Sequence, residues 1–338
     1  MVKTDIPPST SATSRRLVGA VALAVTTIVA AGLALVKLTR PMSELRLAIV
    51  SWPGYEYFYL AELKQLARPF GLELRVPQYG SLIDQRQAYE RGDVQAMATT
   101  VPEALAVCHE KPARCPLLVL VLDVSNGADR VMARAPLSRP EQLLGRRVGL
   151  ERTVLQDYIL LRSFGERSID LARDVTLVYD GPEALIQRLR NGDLDAVVTY
   201  PPHDAPLSSD PRFQAVFSSR QIPGEIADVL AVDPAFARSN PGQVKALVQT
   251  WWAARDYARR HPQEARDVMA QRQQISPSQY QSTDQGLSYP EARQQRFLLA
   301  PDGPVMRAMR RMARLMRASG RLSGETPLPV LRQDFLQR

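Results

Sequence analysis

The 338-residue chain is predicted to fold as an α/β protein of two lobes facing each other across a cleft. Three observations predict this. From Leu45 to Val232, short β-branched and apolar runs alternate with helical periodicities, the pattern of mostly parallel sheets covered by helices. Within that region a stretch recurs at a constant offset of 100: Gln87, Gly92, Asp93, Ala96, Thr99 and Pro102 are matched by Gln187, Gly192, Asp193, Ala196, Thr199 and Pro202. Finally, two turn-rich segments, Leu122–Arg130 and Ile222–Val232, flank the second repeat and would carry the chain across to a second lobe and back. Two crossings make a hinge, the geometry of closure around a ligand.

Taken in order, residues 1–16 are expected in the cytoplasm and precede an apolar stretch. Leu17–Val36 is twenty residues without a charge, with Arg15 and Arg16 before it and Lys37 and Arg40 after it. That length spans a bilayer as a helix. No small-x-small cleavage site closes it and no cysteine directly follows it, so residues 17–37 are read as an uncleaved transmembrane signal anchor. A cleaved signal peptide is the alternative, and either reading exports the body of the protein. Residues 45–128 and 225–338 are expected to form the first lobe with its C-terminal helices, and 129–224 the second.

In the first lobe the expected strands are Leu45–Val50, Leu72–Val76, Gln95–Thr99 and Leu117–Leu122, with helices Glu56–Ala67 and Leu82–Arg91. In the second they are Arg130–Ala133, Arg147–Leu150, Val175–Tyr179 and Ala196–Thr199, with helices Pro140–Leu144, Val154–Phe164 and Glu183–Arg190. Val229–Val232 returns to the first lobe, and from Asn240 onward the pattern is nearly all helical. The repeated Gly-Asp pair after a helix reads as a C-cap followed by a turn into a strand. Where the first strand turns into the first helix, five aromatic residues fall in the eight positions from Trp52 to Tyr59. In an open α/β sheet that strand end is where ligands bind. Near the C-terminus Val305, Met306, Met309, Met312, Leu315 and Met316 form an apolar stripe among five arginines, expected to pack on the first lobe, with lipid or a partner's acidic surface as the alternative.

Composition narrows the function. A net charge of +8 without a basic run interleaved with aromatics argues against nucleic-acid binding. His109, His203 and His261 are the only histidines; none sits in a nucleophile–base pattern, and no Gly-x-Ser-x-Gly or phosphate loop occurs. No enzyme activity, cofactor or metal is therefore expected. Cys108 and Cys115 are seven apart; with His109 they lack a fourth zinc ligand, so an exported chain is expected to join them in a local disulfide.

Several motifs together resemble a known group: Trp52-Pro53-Gly54-Tyr55 with Tyr59-Leu60-Ala61, then Arg91-Gly92-Asp93, Asp123 through Asp129, Leu144 through Glu151, and Gly192 through Tyr200. In that order they resemble the periplasmic solute-binding proteins of ABC importers, nearest the nitrate, sulfonate, taurine and thiamine-precursor group. The resemblance covers about residues 45–260. It implies a type II periplasmic binding fold, a ligand in the interlobe cleft, ABC permease subunits as partners, and a body in the periplasm, here held at the inner membrane by the anchor. The anchor departs from a freely diffusing shuttle, which keeps open a second reading, a membrane-tethered sensing module coupled to a signalling partner.

The resemblance places ligand contacts at strand ends. In the first lobe these are Ser51, Trp52, Gly54 and Tyr55, then Thr99, Thr100 and Glu103, then Asp123, Ser125, Asn126 and Asp129 on the first crossing. In the second lobe they are Glu151, Arg152, Thr153, Thr199 and Tyr200, with Asp228 on the return crossing. For each there is a plainer alternative: Trp52 as core packing, Thr99 and Thr199 as caps of backbone groups, Asp123 and Asp129 as hinge residues, Arg152 as an exposed arginine. Carboxylates outnumber the one nearby cation, which favours a neutral heterocycle or an amine over a small oxyanion.

Overall fold

A computed structural model of the chain describes residues 43–336 apart from 166, 168 and 323. The expected anchor at 17–37 and the segment before it lie outside the described residues. Among the described residues no helix is long and apolar enough to cross a membrane.

Strands form at the nine expected runs and at three further places. They are β1 (Ser43–Ala48), β2 (Leu72–Arg75), β3 (Ala96–Thr100), β4 (Leu117–Ser125), β5 (Arg130–Arg134), β6 (Arg147–Leu150), β7 (Thr176–Tyr179), β8 (Ala196–Thr199), β9 (Phe213–Ser218), β10 (Ala227–Val232), β11 (Leu287–Ser288) and β12 (Val330–Leu331). They assemble into two sheets, one ordered β11-β4-β10-β3-β1-β2 with β12 on β4, the other β7-β6-β8-β5-β9. The pairs β1–β2, β1–β3, β6–β7 and β6–β8 are parallel, and the crossing strands pair antiparallel with their sheets. The helices that concern the site are α1 (Glu56–Leu63), α2 (Leu82–Arg91), α3 (Val101–Glu110), α4 (Val154–Ser163), α5 (Pro182–Asn191), α6 (Pro241–Arg260), α7 (Pro262–Arg272), α8 (Pro277–Asp284) and α9 (Pro304–Ala318).

The repeat has a physical basis. α2 ends at Gly92 with φ 88° and α5 at Gly192 with φ 90°, left-handed conformations that cost glycine little. In each case the following Asp amide reaches back, Asp93 to the Ala88 carbonyl at 3.0 Å and Asp193 to the Arg188 carbonyl at 3.0 Å, closing a Schellman turn into β3 or β8. Two copies of one helix-turn-strand unit thus supply one parallel strand to each sheet.

The sheets exchange chain at two places, between β4 and β5 and between β9 and β10. These links are bonded to each other. The Ser125 amide donates to the Ile226 carbonyl at 2.9 Å, Ser125 Oγ and Ser219 Oγ are 2.8 Å apart, and the Gly127 amide donates to Ser219 Oγ at 2.7 Å. Ser125 and Asn126, expected as ligand contacts, are instead parts of this junction; Asn126 is exposed and its amide donates to the Gly286 carbonyl at 2.8 Å.

α9 buries Val305, Met309, Met312 and Met316 and leaves most of its arginines outward. It packs against both α3 and α4, so it covers helices attached to each sheet rather than the first alone. Arg311 on α9 and Arg162 on α4 both hold Glu225 of the return link, at 3.1 and 2.6 Å. Cys108 and Cys115 are joined in a disulfide, with Cα atoms 4.2 Å apart.

Candidate functional site

The strand ends of both sheets converge on one cavity of about 290 Å³. From the first sheet's side it receives Ser51, Trp52 and Tyr55 after β1, Thr100 at the end of β3, and Asp228 on β10. From the second come Glu151 and Thr153 after β6 and Tyr200 after β8, while Asp129 sits on the link between sheets. These are the sequence candidates that the fold brings together.

Trp52 and Tyr200 meet edge to face across the cavity, ring centroids 6.0 Å apart. Trp52 is only 9% exposed and belongs as much to the hydrophobic core as to the cavity wall. Its indole Nε1–H donates to Asp123 Oδ1 at 3.4 Å, and the Tyr55 hydroxyl donates to Asp228 Oδ1 at 3.0 Å.

Asp123 and Asp228 face each other directly in the β4–β10 register. Burial, opposed by hydrogen bonds from Asp228 and Trp52, pushes the Asp123 carboxyl up to about 7. Burial and then repulsion from Asp123 push Asp228 well above the usual carboxylate range. Two buried carboxyls facing each other resist both being charged, so the pair holds on to a proton more tightly than either carboxyl would alone. Burial also raises Asp129 to about 6, against a hydrogen bond from Ser125. Across the cavity, burial raises Glu151, which accepts from Tyr200 and from Gln156.

The remaining candidates do not line the cavity, each for a visible reason. Gly54 makes room for Asp123: a Cβ there would lie 2.7 Å from Asp123 Cγ and closer still to Oδ2. Asp123 itself is fully buried, with Trp52 donating to it and Asp228 facing it in the neighbouring strand. Thr99 and Thr199 are buried within β3 and β8. Arg152 turns outward and stacks over the Tyr179 ring at 4.2 Å. Glu103 is fully buried and reaches the other sheet's helix: its Oε1 accepts from the Val154 and Leu155 amides at 2.8 and 3.2 Å, and its Oε2 pairs with Arg86 at 3.4 Å.

Sequence reasoning missed Ser81, Gln156, Glu183, His203 and Gln273, all of which line the cavity. Gly80 and Gly181 align in the repeat, a signal that could have pointed to the loops carrying Ser81 and Glu183. His203 Nδ1 is 3.0 Å from Glu183 Oε1; burial lowers its pKa against the pull of that carboxylate. Gln273 follows α7 and donates to Glu56 Oε1 at 3.3 Å, a contact 217 residues apart in sequence that no local pattern signals. Among the described residues no group of three or more His, Cys, Asp or Glu is placed to hold a metal ion.

Known proteins agree with this architecture. None of the curated proteins matches the chain. Among solved structures it is similar to the alkanesulfonate-binding protein SsuA from Xanthomonas axonopodis pv. citri bound to MOPS, with 15% identity, a TM-score of 0.68, and 87% of this chain and 100% of that one covered. It is also similar to the periplasmic aliphatic sulphonate binding protein SsuA from Escherichia coli, with 14% identity, a TM-score of 0.68, and coverage of 84% and 95%. The desulfurization enzyme DSZB is similar as well, with 18% identity, a TM-score of 0.57, and coverage of 87% and 97%. At such identities these likenesses speak for the fold alone: the α/β fold of the periplasmic binding proteins, with two sheets and covering helices. The model of the NMT1-like family matches residues 39–274, well over half of the sequence, and the chain belongs to that family.

Proposed function

We propose that this chain is an exported solute-binding protein that captures a small organic molecule between its two sheets and delivers it to the membrane subunits of an ABC importer. The observation that carries the reading is the cavity itself, enclosed by strand ends of both sheets and walled by Trp52 and Tyr200 edge to face. A ligand touching both sides stabilises the closed arrangement by its differential affinity for it. Residues 45–128 with 225–338 would move as one lobe against 129–224, about the junction of Ser125, Gly127 and Ser219.

In this reading residues 17–37 anchor the protein in the inner membrane with its body in the periplasm, and Ser51, Trp52, Tyr55, Thr100, Asp129, Glu151, Thr153, Tyr200 and Asp228 contact the ligand. The carboxylates around the cavity favour a neutral heterocycle or an amine over an oxyanion. The protein performs no chemistry on what it binds. The similar SsuA proteins, named for binding sulfonates, support the solute-binding role on this fold.

A thermal-shift screen of the detergent-solubilised full chain against amines, pyrimidines, sulfonates and nitrate tests this. A ligand at a hundred times its Kd stabilises by about 2.7 kcal/mol, so at least one class should raise the melting temperature by several degrees. A flat response to all four contradicts the reading.

A further inference from the structure

The charge inside the cavity is opposite to that of the whole molecule. The chain carries a net +8, yet the cavity lining holds the carboxyls of Asp129, Glu151, Glu183 and Asp228 and no lysine or arginine among the described residues. Asp129 and Asp228 are 3% and 2% exposed. They are held by neutral donors, Ser125 and the Tyr55 hydroxyl, rather than by a guanidinium.

A second, independent feature concerns anions. In α/β sheets an oxyanion is commonly held by the free amides at a helix N-terminus. Three helix starts border this cavity, those of α2 at Ser81 and Leu82, α4 at Thr153 and Leu155, and α5 at Pro182 and Glu183; at α4 the first amides are occupied. Val154 and Leu155 donate to Glu103, and Gln156 donates to Thr153 Oγ1 at 3.2 Å. The chain's own buried carboxylate, Glu103, balanced by Arg86, takes these α4 amides, and the start of α5 carries the carboxyl of Glu183 into the lining. Aromatic faces complete the enclosure, and these attract cations.

Resting on the solute-binding reading, we propose that the cavity takes a compact organic cation, an ammonium- or amidinium-bearing solute, whose charge is received by Asp228 and Asp129 from one side and Glu151 from the other. Glu103 then keeps oxyanions from the α4 amides, and the carboxyls of the lining repel them. At about 290 Å³ the cavity is at the small end of ligand pockets.

Such a ligand should displace protons. Asp228 faces Tyr55 from the turn after β1, Asp123 from β4 and Asp129 from the link, with Glu151, Glu183 and His203 across the cavity and Asp284 behind Asp123. An arriving cation favours the charged carboxylates, so protons held by Asp228 and its neighbours leave as it binds. Affinity therefore rises with pH until those groups ionise unaided.

Titration calorimetry on the full chain in detergent tests this with choline, benzamidinium and agmatine against ethanesulfonate, nitrate and the neutral pyrimidine uracil. Pairs of buffers with different ionisation heats report protons released. At least one cation should bind with proton release at pH 6 and at least tenfold more tightly at pH 7.5 than at pH 5.5. Asp228→Asn, which preserves the shape and an acceptor for Tyr55, should weaken it at least tenfold while keeping the wild-type unfolding profile. Binding of ethanesulfonate, nitrate or the pyrimidine without any of the cations overturns the ligand class and leaves the solute-binding reading standing. Cation binding without proton release, or unaltered by Asp228→Asn, overturns the role of Asp228. No heat from any probe overturns both.

Discussion

Replacing Gly54 by alanine probes its close contact with Asp123. Gly54 does not adopt a left-handed φ, so a methyl group there meets no backbone strain. What it meets is Asp123, with Cγ 2.7 Å from the new Cβ. Asp123 is completely buried, on a short side chain between Trp52 and Asp228, and has no solvent to swing into. Overpacking a filled site costs about 1–3 kcal/mol, and losing the Trp52–Asp123 hydrogen bond costs about 1 more. The total of roughly 2–4 kcal/mol corresponds to a fall of roughly 5–15 °C in melting temperature, at about 2–4 °C per kcal/mol for domains of a few hundred residues. Ligand binding should fall with it, because Asp228 loses its partner. Gly80→Ala is the control: its Cβ would meet only Asp84 Oδ2, at an ordinary 3.8 Å, and should be silent. The assay is calorimetric unfolding, with Asp123→Ala and the double variant alongside. Once Asp123 is truncated the alanine at 54 has nothing to strike, so the double variant should melt within about 1 °C of Asp123→Ala. Gly54→Ala at the wild-type melting temperature, or fully additive losses in the double variant, would refute the steric argument.

Three further outcomes follow from contacts already described. Glu103→Ala leaves Arg86 and two α4 amides without their carboxylate and should lose about 3–5 kcal/mol in denaturant unfolding, whereas Glu103→Gln, which keeps an acceptor for the amides, should lose clearly less. Stability of the ligand-free protein should fall from pH 5.5 to pH 8 in thermal scans. Glu56, Asp123, Asp129 and Asp157 are raised to about 8, 7, 6 and 6 chiefly by burial, so above pH 4 the unfolded chain has shed protons that the folded chain retains, and stability declines as pH rises. His203, lowered by burial, opposes this below pH 6.5, as one group against several; a melting temperature that rises over the interval contradicts the assignment. Reducing the Cys108–Cys115 disulfide, which closes a short loop, should cost about 2 kcal/mol, read from unfolding with and without reductant.

Much of this architecture is written in local pattern, and the reasons are specific. β6 and β8 run from Arg147 to Leu150 and from Ala196 to Thr199, as their apolar runs predict, because both are buried strands bounded by turn residues. The Gly-Asp repeat announces two identical Schellman turns. β9 was missed because Phe213–Ser218 is an edge strand whose Gln214 and Ala215 face solvent, so its apolar run is broken. α3 was missed because Val101-Pro102 reads as a turn, although proline at a helix's first turn is favourable.

The site divides along the same line. Trp52, Tyr55, Glu151 and Tyr200 stand directly after strands and are placed by the α/β rule alone. Glu103 and Arg152 lie equally near strand ends but turn away, one to an α4 amide pair and one to Tyr179, and only tertiary packing decides that. Gln273 reaches the cavity from the C-terminal helices, a contact with no local signal.

Where a ligand lies, and which way its charge points, decides whether the cavity is a cation site. A crystal structure of the complex with the tightest-binding solute should show it in the cavity walled by Trp52 and Tyr200, with a cationic nitrogen within hydrogen-bond distance of the Asp228 carboxyl and no ligand atom at the Val154 and Leu155 amides. A solute bound outside this cavity, or an anionic group displacing Glu103 from those amides, would contradict that assignment.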